Sequence, residues 1–278
     1  MTRSRINILN LIFALSTMIA CSENSDQRSN REALLSGKCP LCDARYLDIN
    51  NVDLRSSDFT GAYFYNANMS NSNFSRANFS AANLEMAELS RSDFSKSNLR
   101  NSVLENAFMS DASFREADLT HANLRNAIMD STELSGANLI GADLTKANLS
   151  GAFASGTILR SAILENALMT NITLQNADLE GANLSGANLQ NANLRLANLK
   201  SANLTGANLT GAILEYTNLK NADLTGAVLQ DATLLGSDLR NSNFTGADLL
   251  NAELNSVSQF ETIFCNARLP NGTKEECY

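Results

Sequence analysis

Tryptophan is absent from the 278 residues, histidine occurs once, and the only prolines are Pro40 and Pro270. The single histidine, His121, has no Cys, Asp or Glu at metal-site or triad spacing around it, so neither catalysis nor a metal centre is expected. No cofactor motif is present either. The chain also lacks an apolar run long enough to span a bilayer comfortably: the longest, Ile6 to Ala20, is too short. What fills the chain instead is a great deal of alanine, asparagine and leucine. Few residue types used many times point to repetition.

The formal net charge is −8, and removing residues 1–21, which hold Arg3 and Arg5 and no acid, moves it to −10. Such a balance keeps a long surface soluble and disfavours non-specific binding to nucleic acid or anionic membranes.

A basic start, Arg3 and Arg5, precedes the apolar stretch 6–20, and a polar segment without periodicity follows from Ser22. This is the pattern of a signal peptide over 1–21, and it predicts export. Cleavage after Ala20 would place Met18 at −3, a poor fit to the small residue that type I signal peptidases require. Met18-Ile19-Ala20-Cys21 instead resembles a bacterial lipobox with Met in place of Leu, in which the cysteine becomes the lipidated first residue. The residues leave two fates for Cys21: lipidation, with a membrane-anchored product, or removal, with a periplasmic one. Lipidation removes the odd member of five cysteines and leaves four to pair.

From Leu54 to Leu254 every fifth residue is large and apolar: of 41 such positions 40 are Leu, Phe or Met, the exception being Ala154. Two residues earlier stands Ala, Ser or Thr everywhere but Val52 and Ile172, and between the two Asn or Asp is commonest. Five residues advance an α-helix by about 500°, so the leucines would face every direction. In a strand, with its side-chain period of two, every second one would face water. A chain that turns a corner every five residues escapes both failures. It points the large residue and the small one inward and three residues outward. If four corners close one coil, it holds twenty residues, and coils stacked at about 4.8 Å would make a rod about 50 Å long.

The tandem A-(N/D)-L-x-x units, such as Ala182-Asn183-Leu184 and Ala187-Asn188-Leu189, resemble the pentapeptide-repeat family over about three quarters of the chain. The resemblance implies an all-β fold, a right-handed quadrilateral β-helix, here of about ten coils of four pentapeptides. The boundaries that follow are a signal peptide over 1–21 and a polar tether with a short helix over 22–38. The β-helix follows over 39–258, and a C-terminal cap over 259–278. Ends about 50 Å apart cannot be joined by a disulfide, whose Cα atoms lie within about 7 Å. Within one rod Cys39 can therefore meet only Cys42, and Cys265 only Cys277.

Three functions are compatible with such a rod. The first is a structural or protein-binding scaffold in the bacterial envelope, its partner another protein and not nucleic acid. The second is an acidic DNA mimic, since some family members protect DNA gyrase, a type II topoisomerase; the signal peptide and the interleaved basic residues disfavour it. The third is thiol–disulfide exchange at Cys39 and Cys42, which lacks the βαβ setting that such a motif needs. On one face Arg100, Arg160, Lys200, Lys220 and Arg240 run beside Asp58, Asp118, Asp178 and Asp238, a self-screening arrangement. One coil differs. Its outward positions before the centre are Phe153, Ile158, Ile163 and Leu168, and Phe108 and Ile128 prolong the face of Leu168. This apolar girdle is the candidate partner contact. Ala154 sits in the same coil, and Ile172, one coil on, is placed to fill the space that a leucine there would occupy.

Overall fold

The computed structural model describes residues 31–277. The unit 73–77 shows how one repeat is hydrogen-bonded. Phe74 points into the core and its N–H donates upward to the Asp93 carbonyl at 2.7 Å, while the Asn73 N–H donates downward to Val52 at 2.9 Å. The Arg76 N–H donates upward to Ser95 at 2.9 Å, and the Ala77 N–H closes the corner on Phe74 at 3.0 Å. Arg76 has a φ of 61°, and a positive φ at the third residue of a four-residue turn is the type II signature. The fifth amide, that of Ser75, donates to the side-chain oxygen of Asn73 at 2.9 Å. Every backbone donor of the unit is thereby used, four by backbone and one by the asparagine.

Repeated along the chain, these bonds give parallel single-residue bridges between positions twenty apart, unbroken from Lys38↔Asp58 to Asp248↔Arg268. Four corners per twenty residues make a four-sided coil. Its interior holds the large and small inward residues, nearly all fully buried. Phenylalanine layers pack toward the N-terminal end, where Phe94 and Phe114 stack at 5.0 Å with their planes 3° apart, and Phe244 stacks on Phe264 near the other end. Leucine and alanine fill the middle. Buried hydroxyls at the small position bond backward to the core: Ser92 Oγ donates to the Met69 carbonyl at 2.8 Å and Thr157 Oγ1 to Leu134 at 2.9 Å.

Both ends are covered. Helix α1 (31–35) contributes the fully buried Leu34 to the core, and Gly37, with a φ of 75°, ends it by donating to the Leu34 carbonyl at 2.9 Å. At the far end the periodicity puts the last coil at 258, but the structure carries the bridges ten residues further, to Arg268. The cause is that Thr262 with Phe264, and Ala267 with Leu269, repeat the inward pair after the break at Gln259. The chain then doubles back, Arg268 bridging Lys274 antiparallel and the Glu275 N–H donating to Ala267 at 2.9 Å.

Candidate binding surfaces

Most of the outer surface is explained by the scaffold itself. The Asn or Asp before each centre faces outward to cap the amide two residues on, and where asparagines stack they also bond to one another. Asn98 Nδ2 donates to Asn78 Oδ1 at 2.9 Å and Asn203 to Asn183 at 3.0 Å, an amide ladder running along the rod. Asp58 and Asp238 in this position are held ionised. The hydroxyl and amide of Thr60 donate to Asp58, and a fork of two bonds from Arg240 grips Asp238; each carboxyl is thereby lowered below its ordinary 3.8. The charged face predicted from the period pairs across rungs, with Arg100 on Asp118 at 3.0 Å, Arg160 on Asp178, and Lys200 on Glu180 at 2.7 Å. These are exposed pairs, each contributing about 0–1 kcal/mol. Their main effect is to neutralise the acids locally.

The 153–168 coil departs from this rule. Phe153 is 52% and Leu168 48% exposed, Ile163 is exposed, and Ile158 is half-buried. With no Asn or Asp before the centre, the amides of Ser155, Arg160, Glu165 and Thr170 lose their side-chain acceptor. Four successive repeats give up a hydrogen bond to carry an apolar residue outward. The four residues are not gathered into one patch, because each stands on a different side of the coil. The stripe predicted through Phe108 and Ile128 is also interrupted. Those two are bridged neighbours, but Asn148 lies between Ile128 and Leu168.

Two further apolar clusters escape a reading based on the position before the centre. One, at the N-terminal end, comprises Leu41, Tyr46, Tyr63, Tyr65 and Met86. The other contains Leu196, Ile213 and Tyr216, with the Arg195 guanidinium 5.9 Å from the Tyr216 ring centroid. The signal that finds them is in the corner residue, two after the centre. Leu41, Tyr46, Met86, Leu196 and Tyr216 all occupy it with φ between 54° and 62°, where Asn, Ser or Gly is usual.

The cysteines fall as two local pairs. Cys39 and Cys42 are disulfide-bonded across the first corner with Cα atoms 5.3 Å apart; both take inward positions, and Cys39 is only 3% exposed. Cys265 and Cys277 join the last coil to the returning segment, Cα atoms 4.7 Å apart. His121 lies outward at a corner, its ring against Gly141. Cys21 and the apolar stretch 6–20 lie outside the described residues.

The family model described as pentapeptide repeats matches this chain in eight copies between residues 57 and 258. Among solved structures the chain is similar to HetL, a pentapeptide repeat protein involved in heterocyst differentiation regulation from the cyanobacterium Nostoc sp. strain PCC 7120. Identity is 25% over 88% of this chain and 97% of that one, with a TM-score of 0.53. It is also similar to full-length QnrB1, a plasmid-mediated fluoroquinolone resistance protein, at 19% identity over 76% of this chain and 93% of that one, TM-score 0.36. No curated protein matches the chain.

Proposed function

The chain belongs to the pentapeptide-repeat family, and from that premise we propose that it is a non-enzymatic scaffold of the bacterial envelope. In this reading it is exported by residues 1–21, anchored through lipid on Cys21, and binds another protein through the 153–168 coil. Its scaffold is a right-handed coil of about eleven turns, the hand taken from the family and the number from the interval of twenty between bridges.

The observation that carries the binding role is the loss of four amide acceptors in four successive repeats. In most other repeats the outward residue before the centre is Asn, Asp or Glu and caps the corner amide. Apolar exceptions such as Tyr63, Phe108, Ile128 and Ile213 stand singly or in pairs rather than four in succession. In this coil Phe153, Ile163 and Leu168 cap nothing, and a net hydrogen bond of about 0.5–1.5 kcal/mol is forgone at each. Exposed side chains that cost the fold something have their use outside it. Because the coil faces four ways, a partner that touches more than two of these residues must wrap the rod. The support for export and anchoring is the order of basic start, apolar core and Met18-Ile19-Ala20-Cys21.

Two experiments test this. Wild type and Cys21→Ser are expressed in a bacterial host, fractionated and labelled with palmitate; labelled, membrane-bound wild type beside an unlabelled variant supports the anchor, and unprocessed cytosolic protein overturns it. Photo-crosslinkers at Phe153 and Leu168, compared with one at Asn203, test the contact. Adducts from the first two alone support it, and equal behaviour at all three positions removes it.

A further inference from the structure

The described chain begins at the N-terminal end of the rod, and an apolar cluster stands on one side of that end. Leu41 is 71% and Tyr46 66% exposed, and Tyr63 and Met86 are exposed beside them. These residues share one side of the rod. Tyr46 meets Tyr65 edge to face at 5.6 Å, the Tyr65 hydroxyl reaches Met86 Sδ at 3.2 Å, and Leu41 lies over Gly61, two residues before Tyr63.

The fold does not ask for these residues. Leu41, Tyr46 and Met86 have φ of 58°, 62° and 57°, a region in which a bulky side chain is strained by about 1–2 kcal/mol. Asn, Ser or Gly fills the same corner in most other repeats at less cost. Tyr63 replaces the Asn or Asp that would accept the Tyr65 amide. Strain kept at three corners of one cluster points to a use outside the fold.

Resting on the anchored reading above, we infer that this cluster seats the rod on the surface of the bilayer that holds its own lipid. Residues 22–30 join the anchor to the first described residue, and nine residues reach at most about 32 Å. The N-terminal coils are thus confined to the neighbourhood of the membrane while the other clusters, further along the rod, are carried away from it. The chemistry suits the interface: tyrosine has an apolar ring and a polar tip, and sits at headgroup level, with Leu and Met beside it to enter the acyl boundary. The one cation within the cluster, Arg45, is gripped by Asp43 through two bonds of 2.8 and 2.6 Å, and Glu85 adjoins Met86. The surface therefore carries no net positive charge and calls for zwitterionic rather than anionic lipid. The opposite side of the same coils carries Arg55, Arg76 and Lys96 around an open cleft with Ser56, Ser75 and Ser95, a surface that stays in water.

The absence of tryptophan makes the test direct, because three of the five tyrosines belong to the cluster and they dominate the emission. Tyr216 lies about 35 Å along the rod at the interstrand spacing. Lipidated full chain is reconstituted into phosphatidylcholine vesicles with and without a headgroup-nitroxide lipid. The nitroxide should quench up to three fifths of the tyrosine emission, with little change between low and high salt. In the variant Leu41→Asn, Tyr46→Asn, Met86→Asn, quenching of the remaining Tyr63 and Tyr65 should fall at least twofold. That variant should melt no lower than wild type, since asparagine relieves the three corners. Palmitate-labelled, vesicle-bound protein with unquenched emission overturns the seating alone, leaving the anchor intact and a protein as the occupant. Absence of labelling overturns the anchor and the seating together.

Discussion

The ring of Tyr216 lies against Gly236, the corner residue one coil further on. A Cβ built at Gly236 would come within 2.7 Å of both Cδ1 and Cε1 of the ring. Leu41 over Gly61 and His121 over Gly141 repeat the relationship, with approaches of 2.7 and 2.5 Å. Where a large corner side chain lies down along the rod, the next corner gives it room.

Glycine at these corners therefore answers two demands, and substitutions separate them. Gly226 has a φ of 66° and nothing within 4 Å of its missing Cβ, so Gly226→Ala should cost only the left-handed penalty of about 1–2 kcal/mol. Gly236→Ala, with a φ of 68°, adds the collision with Tyr216 and should cost about 1–3 kcal/mol more. Tyr216→Ser should remove that excess, since Ser161, the serine one coil before Gly181, leaves that glycine's Cβ position 3.7 Å of room. Urea melts of the two single variants and the double variant measure it, and equal losses at Gly226 and Gly236 would contradict the steric account.

Ile163→Asn should raise stability by about 0.5–1.5 kcal/mol, because it returns an acceptor to the amide of Glu165. The reverse change, Asn183→Ile one coil on, removes the acceptor of the Ser185 amide, bonded at 3.2 Å, and should cost a similar amount. Thermal melts of both decide the point; a destabilised Ile163→Asn would mean that the apolar residue is there for the fold.

Ala154 and Ile172 are both buried in adjoining coils, the Ala154 N–H donating to the carbonyl of Thr173 at 2.7 Å. If they share one space, Ile172→Ala opens a void at a cost of about 2–5 kcal/mol. Ala154→Leu alone should then overpack by about 1–3 kcal/mol. Together they should lose much less than the sum. Strict additivity in a double-mutant cycle would show that the two side chains do not share the space.

Acid should weaken the rod in a definite window. Asp58 and Asp238 have carboxyls lowered in the folded state, so their contribution is full above the ordinary 3.8 and is lost as pH falls through the lower folded value. Melting temperature should therefore drop below pH 3.8, and less steeply in Asp238→Asn, which has no proton to take up there. Parallel curves for variant and wild type would place the acid sensitivity at other groups.

The period of five was enough to find the inward pair, because burial selects residue type: leucine in the middle, alanine beside it. It was not enough to explain Asn73. Outward polarity is what the pattern displays, whereas the bond from the Ser75 amide to Asn73 is a matter of local geometry. The same gap hid the corner residues. Leu41 and Tyr46 look unremarkable as outward side chains until their positive φ shows that the backbone pays for them. Past Gln259, a polar residue at a central position, the pattern was still legible at Phe264 and Leu269, and the bridges to Arg268 put these residues in the coil rather than in a separate cap. The girdle and its spread over all four sides were legible from the twenty-residue period, and the bridges add that Asn148 interrupts the stripe between Ile128 and Leu168.

The interval of twenty between bridged residues makes direction along this rod a matter of counting. Insertion or deletion of one five-residue unit preserves the core but rotates everything downstream by a quarter turn, so that groups formerly in line look out at right angles. Only changes by multiples of twenty conserve alignment, and these alter reach instead. Length and orientation are thus separately adjustable in the gene, without redesign of a single packed layer.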